Sequence, residues 1–310
     1  MASQVNIAKK VSVQRTQAPG FFRYAHGDVV VTALYDGYVS LDPMSLTGLT
    51  DDERAADLTR QMHALGSTVD SSVNAFLIHD GVRLVLVDAG SAHVAGPTTG
   101  RMLKNIAAAG YQLADIDTII LTHMHPDHIG GITSEQGQAF FPSATVWAAK
   151  ADADFWLNSD TVNGLPDGEK EFVRIAQEAA APYIASGRFN TFSFGDELVP
   201  GLITAVDAAG HTPGHTAFMV TSAGEKMLFW GDISHIPAIQ LPHPAATIEL
   251  DVFPEMAVAS RKRVLADTVK GGWVVGGAHQ PFPGIGRVRE EGEGYAWVAV
   301  EYGAPSALDD

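Results

Sequence analysis

The 310-residue chain is 46% hydrophobic and 18% charged, with 31 Gly and 16 Pro, which excludes disordered, collagen-like and coiled-coil classes and leaves room for a full core. Thirty-six acids against 20 bases give a formal charge of −16; such a surface repels phosphate backbones and anionic lipid, so neither nucleic acid nor membrane is an expected partner. There is no cysteine, which removes disulfides, thiolate metal sites, iron–sulfur clusters and a Cys nucleophile together.

Residues 1–20 are polar, end at Ala18-Pro19-Gly20, and read as a flexible arm. Lys9, Lys10 and Arg15 lie near the start, but no apolar stretch follows them and no run nears the roughly 18–20 residues of a membrane span. The expectation is a cytoplasmic protein, or an exported one whose leader has been removed. From Phe21 onward no Ser/Pro/Gly linker or charge block interrupts the chain, so residues 21–310 read as one domain.

Val29 to Leu34 is a strand expected to end in a turn at Asp36-Gly37. Val73 to Ile78, Asp80-Gly81 and Val82 to Val87 form a second strand–turn–strand pattern. Thr98 to Ala109 has helical spacing, with Gly110 placed to stop it. Ile116 to Leu121 reads as a buried strand. The grammar recurs: a hairpin from Thr216 to Trp230 about Ala223-Gly224, a helix from Pro254 to Val269, and a strand at Trp273-Val274-Val275. Two such halves predict an α/β protein with two sheets packed face to face and helices outside.

Chemistry concentrates in Thr122-His123-Met124-His125-Pro126-Asp127-His128-Ile129-Gly130-Gly131, directly after a predicted buried strand. Three His and one Asp within six residues are poor packing material and good metal ligands. One loop cannot close a metal shell, and further donors stand at predicted strand ends: His211, Asp232 and His279. A set rich in nitrogen and oxygen and free of sulfur suits zinc first, then manganese, iron or cobalt.

The ordered set resembles the metallo-β-lactamase superfamily. Ala18-Pro19-Gly20-Phe21-Phe22-Arg23, Gly210 to Thr216, Phe282-Pro283-Gly284-Ile285-Gly286 and Glu291-Gly292-Glu293-Gly294-Tyr295 resemble methyl parathion hydrolase and its lactonase and arylesterase relatives. The resemblance runs over nearly the whole chain from Ala18. It implies an αβ/βα sandwich with two mixed sheets flanked by helices, two Zn²⁺ per chain and a homodimer. His123, His125 and His211 would hold one metal, Asp127, His128 and His279 the second, and Asp232 would bridge them. Asp88 and His215 would support the ligands from behind. The alternative for Asp88 is a turn carboxylate capping Gly90 and Ser91.

A dinuclear centre implies a metal-bridging hydroxide as nucleophile. No G-x-S-x-G elbow, phosphate-cradling loop or Cys competes with it. Asp127, Asp232 and His235 are the candidate catalytic residues. The resemblance makes Trp156 and Phe172 lining for an apolar substrate pocket, core packing being the alternative. His235, three residues after Asp232, and Ile248 are similar to the lactonase and esterase side of the family, and Leu250 to the phosphotriesterase side. The expected substrates are small hydrophobic lactones and aryl esters, with phosphotriesters second. The rivals are a dedicated phosphotriesterase, a glyoxalase II-like thioesterase and a non-catalytic metal-binding sensor.

Overall fold

The computed structural model describes residues 12–165 and 167–303. Met1 to Val11 of the expected arm fall outside them. The first half runs β1 (Phe21–His26), β2 (Val29–Leu41), β3 (Leu46–Thr47), α1 (Asp51–Arg60), β4 (Val69–His79), β5 (Leu84–Val87), α2 (Met102–Ala108), β6 (Thr118–Ile120), α3 (Pro126–Ile129), β7 (Thr145–Ala149), α4 (Lys150–Trp156), α5 (Asp167–Ala185) and β8 (Phe189–Phe192). The second runs β9 (Glu197–Val199), β10 (Ile203–Asp207), β11 (Thr216–Ser222), β12 (Glu225–Phe229), α6 (Pro237–Gln240), β13 (Thr247–Ile248), α7 (Pro254–Gly271), β14 (Val274–Gly276), β15 (Ile285–Glu291) and β16 (Gly294–Ala299).

Each half supplies one sheet. The first has the order β1-β2-β4-β5-β6-β7-β8 and the second β16-β15-β14-β12-β11-β10-β9, while β13 and β3 pair separately. Both sheets are mixed: β5, β6, β7 and β8 run parallel, as do β12 and β14, within otherwise antiparallel ladders. The alternation along β4 shows how the layers form. Phe76 and Ile78 face Phe218, Val220 and Phe229 in the core between the sheets, whereas Ala75 and Leu77 face outward onto Met102 and Ile106 of α2. On the other outer face Leu228 packs with Val264 and Leu265 of α7. The result is the expected αβ/βα sandwich. No helix among the described residues is long and apolar enough to cross a membrane.

Two local expectations are corrected. Asp36-Gly37 is no turn; β2 continues through it to Leu41, and the register against β4 shifts between Tyr35 and Gly37 as a bulge. The bulge frees the buried Asp36 carboxylate to accept the N–H groups of Ser91 and Met102, each at 2.9 Å. Gly37 is required, since a Cβ there would stand 2.0 Å from Thr98 O. The second correction is that the helix expected from Thr98 starts at Met102, because Gly100 has φ +81° and the Asp36 carboxylate meets the first helical N–H. The other expected strands, the Asp80-Gly81 turn and the 216–230 hairpin appear within a few residues of their predicted bounds.

Candidate metal centre

Parallel strands from both sheets end at one edge of the sandwich. Asp88 follows β5, the His123 loop follows β6, Asp232 follows β12 and His279 follows β14. Pro126 opens α3 at a position where its missing N–H costs nothing, so His125 leaves the loop just as Asp127 and His128 enter a helical turn. The turn sits tight against the β5 end, and a Cβ on Gly131 would lie 1.7 Å from Ala89 O. His211 arrives between β10 and β11.

These side chains converge on the buried Asp232 carboxylate. Its Oδ2 lies 3.6 Å from His123 Nε2, 3.4 Å from His211 Nε2, and 3.1 Å from both His235 Nε2 and His279 Nε2. Its Oδ1 lies 3.1 Å from His128 Nε2. Asp127 Oδ2 stands 3.5 Å from His279 Nε2 and 3.7 Å from His128 Nε2. His211 Nε2 and His125 Nδ1 are 3.0 Å apart. Three groups therefore have donor atoms close enough for one ion each: His123, His125, His211 and Asp232; Asp127, His128 and His279; and Asp232, His235 and His279.

The chemistry of the set fits divalent metal. His123 Nε2, His128 Nε2 and Asp232 Oδ1 are buried without a hydrogen-bond partner, although two of them face each other. Native interiors rarely tolerate such atoms unless another group satisfies them. Electrostatics agree. Burial pushes the His128 imidazole down, but Asp232, Asp127 and Asp88 outweigh it and hold His128 well above its usual value. His211 is raised to about 9, with Asp232 and Asp251 overcoming burial. Burial and neighbouring imidazoles leave His123 and His125 well below theirs. The carboxylates thus draw positive charge, as protons on His128 and His211, into a cluster of buried imidazoles, a charge that a bound divalent cation would supply instead.

Behind the ring, other groups fix its orientation. Asp88, at φ 56°, accepts the Thr122 N–H at 2.8 Å through Oδ1 and lies 2.9 Å from His128 Nδ1 through Oδ2. Its carboxylate is not the cap of Ser91, a role that Asp36 fills. His215 spends both nitrogens on backbone, Nδ1–H on Ala208 O and Nε2 on the Asp232 N–H, each at 2.9 Å. His279 Nδ1 lies 2.8 Å from Ser72 O. Sequence reasoning missed three further supports. Asp251 holds His211 Nδ1 at 2.9 Å. Asp152 accepts the N–H groups of Met124 and Gly214 and straps the two ligand loops together. Gln240 accepts the His235 N–H at 2.7 Å. Each is one polar residue in a loop or short helix, with no spacing signal to find it.

The pocket candidates separate. Trp156 is wholly buried in the core of the first half, and its ring meets His125 edge-on at 5.1 Å. That corrects its place as pocket lining: it is a core residue that backs His125. Phe172 is half-buried beside the same histidine, ring centroids 5.3 Å apart. Ile248 is buried in β13 and Leu250 half-buried next to it. His235 is 2% exposed, its ring stacked on His279 at 5.2 Å and 4.6 Å from His211.

Residues 68–285 match the family model described as the metallo-beta-lactamase superfamily. The chain belongs to that superfamily. It is similar to the crystal structure of the hydrolase AbOPH of the beta lactamase superfamily, with 36% identity and TM-score 0.88 over 93% of this chain and 100% of that one. It is also similar to AidC, a dizinc quorum-quenching lactonase, at 27% identity and TM-score 0.85 over 92% of this chain and 99% of the other. Among curated proteins, the hydroxyacylglutathione hydrolase of Fuscovulum blasticum is 31% identical over 160 residues, which are 51% of this chain and 46% of that protein. The match thus spans less than half the length of that curated relative.

Proposed function

We propose that this protein is a dinuclear metal-dependent hydrolase of lactones and aryl esters, with phosphotriester cleavage as a secondary activity. The observation that carries the proposal is the convergence of five histidines and Asp127 on the Asp232 carboxylate at one sheet edge. His123, His125 and His211 would hold one ion, Asp127, His128 and His279 the other, with Asp232 between them. Divalent ions held there, zinc first, would supply Lewis-acid polarisation of a carbonyl or phosphoryl oxygen and a lowered pKa for water at the site. No side-chain nucleophile is then needed.

The chain's own part is to orient and to exclude. Asp88, Asp251 and the Ser72 carbonyl set the Nδ1 edges of His128, His211 and His279, leaving each Nε2 for the centre. Burial lowers His235 to about 4 against the opposing pull of Asp232. Its ring is therefore neutral near pH 7 and retains one N–H, which suits hydrogen bonding to a substrate carbonyl or a departing alkoxide rather than full proton transfer.

The lactonase neighbour AidC supports the lactone reading. A glutathione thioesterase needs cations for the glutathione carboxylates, and the Arg261-Lys262-Arg263 run offers few. Arg261 is 1% exposed and committed to Ile233 O and Ala246 O, while Arg263 donates to Asp207 O. The deciding experiment is a kinetic panel of one lactone, one aryl acetate, one phosphotriester and one thioester on the same metal-loaded sample. Lactone or aryl acetate should lead in kcat/KM; a leading thioester or phosphotriester overturns the proposal.

A further inference from the structure

A cavity of about 960 Å³ opens between α2, β2 and the chain leading into β1, beside the segment that follows His279. A smaller one of about 330 Å³ adjoins the metal centre itself, with His235 and His279 in its wall. Ser72 and Pro281 line both. Ser72 marks the border, since its carbonyl lies 2.8 Å from His279 Nδ1. None of the candidate metal donors lines the larger cavity.

Its walls are aromatic and fixed. The Tyr35 and Phe282 rings meet edge-on at 5.5 Å, and Pro19, Tyr38 and Pro281 extend the apolar surface. Asn105 ties α2 to both neighbouring segments, accepting the Gly20 N–H at 2.9 Å and donating to Tyr35 O at 2.6 Å. Walls held in this way need little reordering on binding.

The charge of the lining is one-sided. The chain carries −16 overall, yet no acid lines this cavity among the described residues, and its two charged side chains are Arg101 and Lys104. Lys104 has no ion pair or hydrogen bond among the described residues. Arg101 spends Nη1 on Thr98 O and presents the rest of its guanidinium. Burial raises the Tyr35 phenol against the pull of Arg101, so its O–H also stays a donor. In so acidic a chain, two unopposed cations at one opening attract an anion and turn away a cation. An aromatic wall with a cationic rim is matched by a planar, apolar acid.

We propose that this cavity is a second ligand site that takes an aromatic carboxylate, its ring against Tyr35, Tyr38 and Phe282 and its charge on Arg101 and Lys104. The inference goes beyond the hydrolase reading and does not depend on it, because no metal donor takes part.

The probe is 2-naphthoate, followed by equilibrium dialysis against the full-length, zinc-loaded protein. Binding should be measurable and should weaken as salt is raised. 2-Naphthylmethanol, which lacks the charge, and acetate, which lacks the ring, should each bind at least about fivefold more weakly. Lys104→Glu reverses a charge at an exposed position on α2. It should weaken naphthoate binding about fivefold or more, with metal content unchanged. Ala108→Trp, also exposed on α2 and part of the lining, should fill the space and weaken naphthoate and naphthylmethanol alike. Naphthoate binding that neither folded variant moves places the acid elsewhere, on the metal ions included, and overturns the site. So does equal binding of naphthoate and naphthylmethanol, or no binding of naphthoate.

Discussion

His211 Nδ1 and Asp251 Oδ1 face each other at 2.9 Å, both buried and 40 residues apart in the chain. The carboxylate's other oxygen accepts the Ile248 N–H at 3.2 Å and lies 3.6 Å from Arg261 Nη2. Burial would raise the Asp251 carboxyl, but His211, His235 and Arg261 outweigh it and bring it down to about 2. A permanently charged anchor therefore holds the His211 ring with its Nε2 toward Asp232.

Removing that anchor should weaken the metal site without touching a ligand. Asp251→Ala is expected to lower zinc affinity about 10–100-fold, the usual cost of losing a partner behind a metal-bound histidine. It should also destabilise the fold by about 3–5 kcal/mol, because Arg261 is left as an unpaired buried charge. Chelator competition and thermal unfolding read the two effects separately. Wild-type affinity in a folded Asp251→Ala protein would show that His211 needs no such support.

Metal stoichiometry is the direct check on the dinuclear reading. Protein purified without chelators should carry two ions per chain, and Asp232→Ala should lower both occupancy and kcat strongly. Elemental analysis decides the first and turnover the second. A steady value near one ion with full activity removes the dinuclear reading. Undiminished turnover in Asp232→Ala removes the bridge.

A separate pH effect belongs to His26, at the end of β1. It is 1% exposed, neither ring nitrogen has a hydrogen-bond partner, and burial pushes its pKa down against the pull of Glu225. With the folded value below the unfolded 6.5, the unfolded chain binds more protons as pH falls, so stability is lost from about pH 6.5 downward. His26→Leu should flatten this dependence. Denaturant unfolding at pH 5.5 and 7.5 should show a smaller difference for the variant than for wild type; equal differences exclude His26 as a source.

The strand grammar and the His123–His128 segment were legible because both are local. Period-two alternation reports the β4 faces directly, and donor-rich residues packed into six positions have no rival explanation as core. The bulge at Asp36 was not legible, since Asp-Gly signals a turn unless something distant claims the carboxylate, and here Ser91 and Met102 do. Trp156 was ambiguous for a related reason: an aromatic residue on a short helix can face a pocket or a core, and only packing against His125 decides. Asp152 and Asp251 act through contacts 28 and 40 residues away, which no spacing reveals.

The final prediction concerns His235. Its neutral imidazole stands 3.1 Å from Asp232 and stacks on His279, so it occupies space beside the candidate metal centre. A planar carbonyl can use the N–H that this ring offers. A tetrahedral phosphoryl centre with two alkoxy groups meets the same ring as an obstruction. Replacing His235 by Leu removes the donor and dries the wall, and should raise phosphotriester turnover relative to lactone turnover. The shift should amount to about 1–3 kcal/mol in relative transition-state energy, as for other single pocket contacts. It should stay incomplete, since Ile248 remains buried nearby in β13, tied through its N–H to Asp251. The comparison needs kcat/KM for both substrates on both proteins at equal metal loading. A wild type that already prefers the phosphotriester, or a ratio unmoved by His235→Leu, returns the assignment to a dedicated phosphotriesterase.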